Sequence, residues 1–201
     1  LTRQEEIDYL KSEGIDMSWE KSKYSVNKGL WGTSVGGVET LNSEKPLPSE
    51  AYPSQLEKEV EQKVTLTFKK GEFIGLNGKE NLPEINIKKL NDIAAAYAIG
   101  RDIHVGDTIV GTKGRVGFEA AAALITIKAH HLLEKHTLTK WQLQHKEYLA
   151  SFYGMHLHEG QYLDPVMRNI EAFLHSSQDK VSGDVFVTLS ELDIVPPLNR
   201  V

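Results

Sequence analysis

The segment Gly106-Asp-Thr-Ile-Val-Gly-Thr-Lys113 brings glycines, hydroxyls and a lysine together at nearly the spacing of a phosphate loop. A loop of the form G-x-x-x-x-G-K-[ST] follows a strand and opens onto a helix, so that backbone N–H groups and the helix dipole converge on phosphate. Here lysine and threonine stand in reverse order, Ile109-Val110 interrupts the glycines, and Arg115 to Gly117 intervenes before any helical pattern. Glycines that let the chain turn at positive φ account better for this segment.

Histidines form a second constellation. His130 and Glu134 are spaced i,i+4 on one predicted helix, with His131 beside them, which is the reach of a metal pair. His136 follows, and His156-x-His158-Glu159 would add ligands from an extended segment. The H-E-x-x-H pattern is absent and no carboxylate stands between two ligands as a general base. Solvated or hydrogen-bonded histidines are therefore the favoured reading, and no bound metal is expected. Serine hydrolase chemistry has no support, because G-x-S-x-G is missing and no helix signal follows Ser34-Val-Gly-Gly37. Trp19, Tyr24 and Trp31 flank this serine-containing loop, where aromatic rings either stack on a ligand or pack locally.

The elements that must hold these residues follow from periodicity and turn chemistry. Leu1 to Gly14 reads as a short amphipathic helix stopped by glycine. Tyr24 to Gly37 reads as loop with one short strand, and Pro46, Pro48 and Pro53 make Thr40 to Ser54 an extended connector. Val64, Leu66 and Phe68 alternate with polar residues, Lys70-Gly71 turns into Phe73 to Leu76, and Asn77-Gly78 closes the hairpin. Leu82 to Ala98 has helical spacing, and Asp102 to Val110 reads as strand. Helices are predicted at Phe118 to Lys135, Thr139 to Tyr153 and Asp164 to Gln178, the last with Asp164 as N-cap and Pro165 at the first helical position. Val185 to Leu189 is a final strand. This order lacks βαβ alternation, so the expected class is α+β, with a mixed, largely antiparallel sheet packed against several helices.

The 201 residues are enough for a sizeable core. Lys plus Arg number 23 against 28 Asp plus Glu, for a net charge of -5, and no basic stripe suggests nucleic acid. The absence of cysteine excludes disulfides, thiolate nucleophiles and zinc–cysteine sites, and suits a reducing cytoplasm. The apolar stretch Ala120 to Ile127 is too short for a bilayer, so no membrane role is expected. The sequence opens at Leu1, without methionine or signal-peptide pattern and already inside a helical pattern, and is expected to be a piece of a longer protein.

Three ordered stretches give the chain a resemblance. Tyr24-Ser25 through Leu30-Trp31-Gly32-Thr33-Ser34 is similar to a Y-S-x-D-E-N-L-W-G-x-S loop. The second runs from Val64 to Gly71, then through Leu76-Asn77-Gly78, Leu90-Asn91-Asp92-Ile93-Ala94 and Gly100-Arg101. The third holds Gly111, Lys113, Arg115 and Phe118-Glu119, followed by Ala129-His130, Leu133-Glu134 and Thr137-Leu138-Thr139. Together with Ser177-Gln178 and Gly183 near the end, they resemble the argininosuccinate synthase family over nearly the whole chain.

That resemblance implies an ATP-dependent ligase joining citrulline to aspartate in arginine synthesis. ATP adenylates the ureido oxygen, and the aspartate amine displaces AMP. ATP with Mg is implied to bind mainly an N-terminal nucleotide-binding domain. Residues 1–14 would be the linker helix from that missing domain, and residues 15–201 the synthetase and multimerisation domain, inactive alone. A cytoplasmic homotetramer is implied, assembled through this region and a C-terminal helical tail, although this chain stops soon after Leu189.

The family's citrulline pocket maps onto Ser25 and Ser34, with its glutamate replaced by Gly106 and its tyrosine by Phe118. Gly100 to Glu119 would form the pocket wall, with Arg101, Lys113 and Arg115 kept. Two compensations are open. Asp107 takes over pairing of the ligand's ammonium, or the substrate is an N-acylated citrulline whose acyl group uses the room at Gly106 and whose carboxylate meets Lys28. A catalytically silent assembly or binding module is the reading from another class.

Overall fold

A computed structural model describes residues 3–15 and 24–190. Trp19, and the segment after Ser190, lie outside the described residues. Helix α1 (Arg3–Ser12) ends in a Schellman motif: Gly14 has φ +76°, its N–H reaches the Lys11 carbonyl, and the Ile15 N–H reaches the Leu10 carbonyl.

The β-structure divides into two four-stranded antiparallel sheets rather than one mixed sheet. The larger core belongs to the sheet formed by β3 (Gln62–Lys69), β4 (Glu72–Leu76), β5 (Lys79–Glu80) and β8 (Gly183–Leu189), in the order β5-β4-β3-β8. Alternation in β3 buries Val64, Leu66 and Phe68 and turns Lys63, Thr65 and Thr67 outward. Lys70 (φ 50°) and Gly71 (φ 81°) make the β3–β4 turn, and Asn77 (φ 52°) and Gly78 (φ 74°) the β4–β5 turn. Both have positive φ at the two central residues, as a type I′ hairpin requires.

Helices α2 (Pro83–Ala95) and α3 (Ala121–Thr137) cover the apolar face of this sheet, with Leu90, Ala94, Ala121, Ala122, Ile125 and Ala129 in the core. Burial of each large aliphatic group there contributes about 1.5–3 kcal/mol. The Tyr97 ring is buried while its hydroxyl donates to the Val60 carbonyl at 2.9 Å. Helix α3 starts at Ala121 rather than Phe118, because Phe118 and Glu119 belong to a strand.

Helix α4 (Lys140–His158) begins with a reciprocal capping box between Thr139 and Gln142. It runs past the expected end at Tyr153, so His156 and His158 are helical rather than extended. Helix α5 (Pro165–Ser177) starts where expected, with the Asp164 carboxylate accepting the Val166 N–H at 2.9 Å. Among the described residues, no helix is long and apolar enough to cross a membrane.

The second sheet has the order β1-β2-β7-β6. Its strands are β1 (Ser25–Lys28), β2 (Thr33–Gly36), β6 (Arg101–Asp107) and β7 (Lys113–Glu119). Two of these were not expected: the serine-rich segment is a hairpin of two strands rather than loop with one short strand, and β7 had no reading as strand. The supposed connector supplies the second core. It contains 3-10 turns at Val38–Leu41 and Ser49–Ala51, and Leu47, Ala51 and Tyr52 pack with Val35.

Candidate functional site

Gly106 to Lys113 is the tip of the β6–β7 hairpin and not a phosphate loop. The Thr108 N–H reaches the Thr112 carbonyl at 2.8 Å, the Gly111 N–H reaches the Thr108 carbonyl, and Gly111 has φ +84°. No helix N-terminus follows, because the chain returns as β7.

Register assigns every residue of this sheet to one of two faces, since directly opposed residues share a face and neighbours along a strand alternate. Val35 lies opposite Gly117, while Thr33, Glu119 and Arg101 align across three strands. Val35, Thr33, Gly117 and Glu119 are buried, so this is the packed face. A methyl on Gly117 would lie 2.0 Å from Leu47 Cδ1, which shows how closely the connector seats against the strand.

Charged groups lock that seat. The Glu119 carboxylate accepts the Ser54 hydroxyl at 2.5 Å and pairs with Arg101 Nε at 3.3 Å. Arg101 also donates to the Ser54 carbonyl and lies 4.8 Å from the centre of the Tyr52 ring. Burial pushes the Tyr52 hydroxyl above its ordinary pKa, against the opposing pull of Arg101. Arg101 and Glu119 therefore fix the sheet to its connector.

The other face is open. Asn27, Ser34, Phe118 and Asp102 form one row across all four strands. Ser25, Gly36, Val116, His104, Gly106 and Gly114 lie on the same side by alternation. All are exposed or half-buried. Three spacings of about 4.8 Å across the four strands make this row about 14 Å wide.

The register thus places Ser25, Ser34, Gly106 and Phe118 on one face, with Gly106 four residues along β6 from the Asp102–Phe118 pair. It separates them from the two suggested compensating residues. Lys28 is opposite Thr33 and Asp107 opposite Lys113, both on the packed side, where Lys113 Nζ meets the Asp107 carboxylate at 2.5 Å. Lys113 and Arg115 also belong to that side, with Arg101, so none of the three forms the open wall. Tyr24 packs against the second core and bonds Glu39, whereas Trp31 is exposed at the β1–β2 turn. Asp102 and His104 were missed as open-face residues. Period-2 alternation places them opposite Arg101, but the open side is known only once the connector is seen on the other.

Of the histidines, His130 is built into the packed structure. Among the described residues, no group of three His, Asp or Glu side chains could hold a metal ion. His130 Nε2 lies 2.9 Å from Gln178 Oε1, and the Gln178 amide donates to Glu134 Oε1 at 2.8 Å. Burial lowers the His130 pKa, and Glu134 only partly opposes it. The ring is therefore neutral, and its 3.7 Å approach to Glu134 through Nδ1 is not an ion pair.

The sign of the linkage follows. A histidine with a lowered folded-state pKa gives full stability above the unfolded value of about 6.5 and loses it as pH falls, because the unfolded chain takes up the proton first. His130→Gln is expected to flatten this part of the stability–pH curve. Urea unfolding of both proteins at pH 8 and pH 5 reads it, and equal pH dependence in the two would refute the assignment.

Taken together, these elements define an α+β domain with one open sheet face that is polar and carries a single phenylalanine. Residues 24–195 match the family model described as arginosuccinate synthase C-terminal domain, and the chain belongs to that family. It is 37% identical to the argininosuccinate synthase of Methanocaldococcus jannaschii over 192 residues, which is 94% of this chain and 49% of that protein. It is 38% identical to the enzyme of the same name from Xanthomonas campestris, over 92% of this chain and 47% of the relative. The Pyrococcus furiosus argininosuccinate synthase is also 38% identical, over 94% of this chain and 47% of its own length. The chain thus spans about half the length of these relatives.

Proposed function

We propose that the open face of the second sheet is this domain's share of the citrulline pocket in an argininosuccinate synthase, a ligase that uses ATP to join citrulline to aspartate. One observation carries the reading. Ser25, Ser34, Gly106 and Phe118, the positions that the family resemblance singles out, come from four different strands and share one face. The serine hydroxyls donate and accept hydrogen bonds at the ligand's amino-acid end, and the Phe118 ring forms an apolar wall.

Free citrulline is the substrate in this reading. The names of the relatives carry that choice, and in the structure the tip of the exposed His104 side chain stands over Gly106, 2.4 Å from where a methyl there would lie. The lysine–glycine segment is a hairpin tip rather than a phosphate loop. In this reading nucleotide chemistry belongs to another part of the full protein, and this domain binds and orients citrulline. A cytoplasmic homotetramer goes with the same reading. An interface of some kind is supported by an outer α4 face where Trp141, Tyr148, Phe152 and Met155 are exposed at helical spacing and no α4 residue is buried.

The test is the full-length protein with citrulline, aspartate and ATP, followed by AMP release. Ser34→Ala is expected to raise the citrulline KM roughly 10-fold, the scale of one hydrogen bond of about 1 kcal/mol or slightly more, and to leave the KM for ATP unchanged. Absence of citrulline-dependent AMP release from well-folded protein would sink the proposal.

A further inference from the structure

Charge divides between the two faces of the second sheet in one direction. Its four formal cations, Lys28, Arg101, Lys113 and Arg115, all lie on the packed side by register, as do the carboxylates of Asp107 and Glu119. Those two carboxylates are committed, Asp107 to Lys113 and Glu119 to Arg101 and Ser54. Asp102 is the single carboxylate on the open side of the sheet, and no lysine or arginine of the sheet shares that side.

Asp102 is exposed and in the same row as Ser34 and Phe118. Its Oδ1 accepts the Ile103 N–H at 2.7 Å, and among the described residues it makes no ion pair. A carboxylate has about four acceptor positions, so most of its capacity is unused. A face of hydroxyls, an amide, the His104 imidazole and one carboxylate, with no lysine or arginine of the sheet, favours a cationic group.

We propose that Asp102 is the specificity-determining carboxylate of this site and pairs with the ammonium of an α-amino-acid ligand. The proposal rests on the citrulline-pocket reading and names the group within it that reads the free amine. Gly106 fits the same arrangement. A side chain there would meet the His104 imidazole, and glycine itself offers no carboxylate, so the ammonium partner comes from the Phe118 row, four residues away along β6. The pocket then selects against amino acids whose nitrogen is acylated or missing, since either leaves the Asp102 carboxylate without a partner once the site closes over it.

The experiment uses the full-length protein with two ligands, citrulline and 5-ureidopentanoate, which lacks only the amino group. The wild type is expected to prefer citrulline in kcat/KM by roughly 10- to 100-fold, the range of one charge-assisted hydrogen bond. Asp102→Asn is expected to lose most of that preference by raising the citrulline KM, with the KM for ATP unmoved, and Asp102→Glu to retain much of it. Should Ser34→Ala weaken citrulline while Asp102→Asn leaves the preference intact, the Asp102 assignment is overturned and the pocket stands. If neither substitution alters citrulline binding, the pocket itself is wrong. Were Asp102→Asn not to fold, equal wild-type turnover of the two ligands would still overturn the assignment.

Discussion

Lys146→Ala is expected to destabilise the protein by about 3–5 kcal/mol, the largest loss from any single side-chain truncation away from the apolar core. Glu134 is 0% exposed on α3, and Lys146 of α4, at 13%, meets its Oε2 at 2.7 Å. Gln178, following α5, donates to the other oxygen. The carboxylate is thus the point where three helical segments meet. Removing the lysine leaves a buried charge with the Gln178 amide and two nearby imidazoles, His130 at 3.7 Å and His131 at 3.9 Å, but no permanent cation. The carboxyl or an imidazole must then take up a proton, or the helices must part to admit water. Glu134→Gln is milder, because a freed lysine can extend its flexible stem toward solvent. Replacing both by apolar residues of similar size should cost less than Lys146→Ala alone, a strongly non-additive cycle. Urea denaturation of the three variants reads the order, and an unshifted midpoint for Lys146→Ala would show that the Glu134 carboxylate is hydrated.

Gly100→Ala should be nearly as damaging and should act through the backbone. Gly100 has φ +85°, and a methyl there would lie 2.6 Å from the Ala121 nitrogen and 2.7 Å from the Ala120 carbonyl carbon. The left-handed conformation costs a non-glycine residue about 1–2 kcal/mol, and overpacking adds about 1–3 kcal/mol. The second part has no easy relief, because the obstacle is main chain held in place by the Ala120 N–H bond to the Gly100 carbonyl. Gly111→Ala is the matched control. Its φ is +84° with no atom within 4 Å of the added methyl, so only the conformational cost remains. The difference in unfolding free energy between the two variants isolates the collision. If the proposed citrulline pocket holds, Gly100→Ala in the full-length protein should also raise the citrulline KM, since relief of the clash moves β6, and Asp102 with it, away from Phe118. Equal losses in the two variants would refute close packing at this junction.

What was legible in the sequence depended on which side of an element is packed. The β3–β4 hairpin could be read because Val64, Leu66 and Phe68 alternate cleanly and Gly71 marks a turn. Strand β7 could not, because Gly114 and Gly117 interrupt alternation. Gly117 is small because Leu47, far earlier in the chain, occupies the space its side chain would need. The connector Thr40 to Ser54 showed its prolines but not its burial, since nothing local reveals that Leu47, Ala51 and Tyr52 meet Val35. Helix α4 was cut short because Gly154 and the histidines weaken its pattern, though it continues to His158.

The candidate site divides in the same way. Ser25, Ser34, Gly106 and Phe118 came only from family resemblance, and the sheet register then put them on one side. Asp107 and Lys28 look like plausible neighbours along the chain. Alternation turns both away, and period-2 geometry makes that outcome unavoidable once β6 and β1 are extended.

The pairing of β3 with β8 has a consequence for the order of synthesis. Residues 62–69 are made early, yet their partner on one flank is residues 183–189, made after α3, α4 and α5. During translation β3 waits with one row of N–H and C=O groups unpaired beside an apolar face of Val64, Leu66 and Phe68, the kind of edge that other chains can join. Non-local pairing of this kind is slow, and the nascent domain stays adhesive until the strand carrying Val185 and Val187 has emerged. The strand at the heart of the larger core is therefore among the last to find its place.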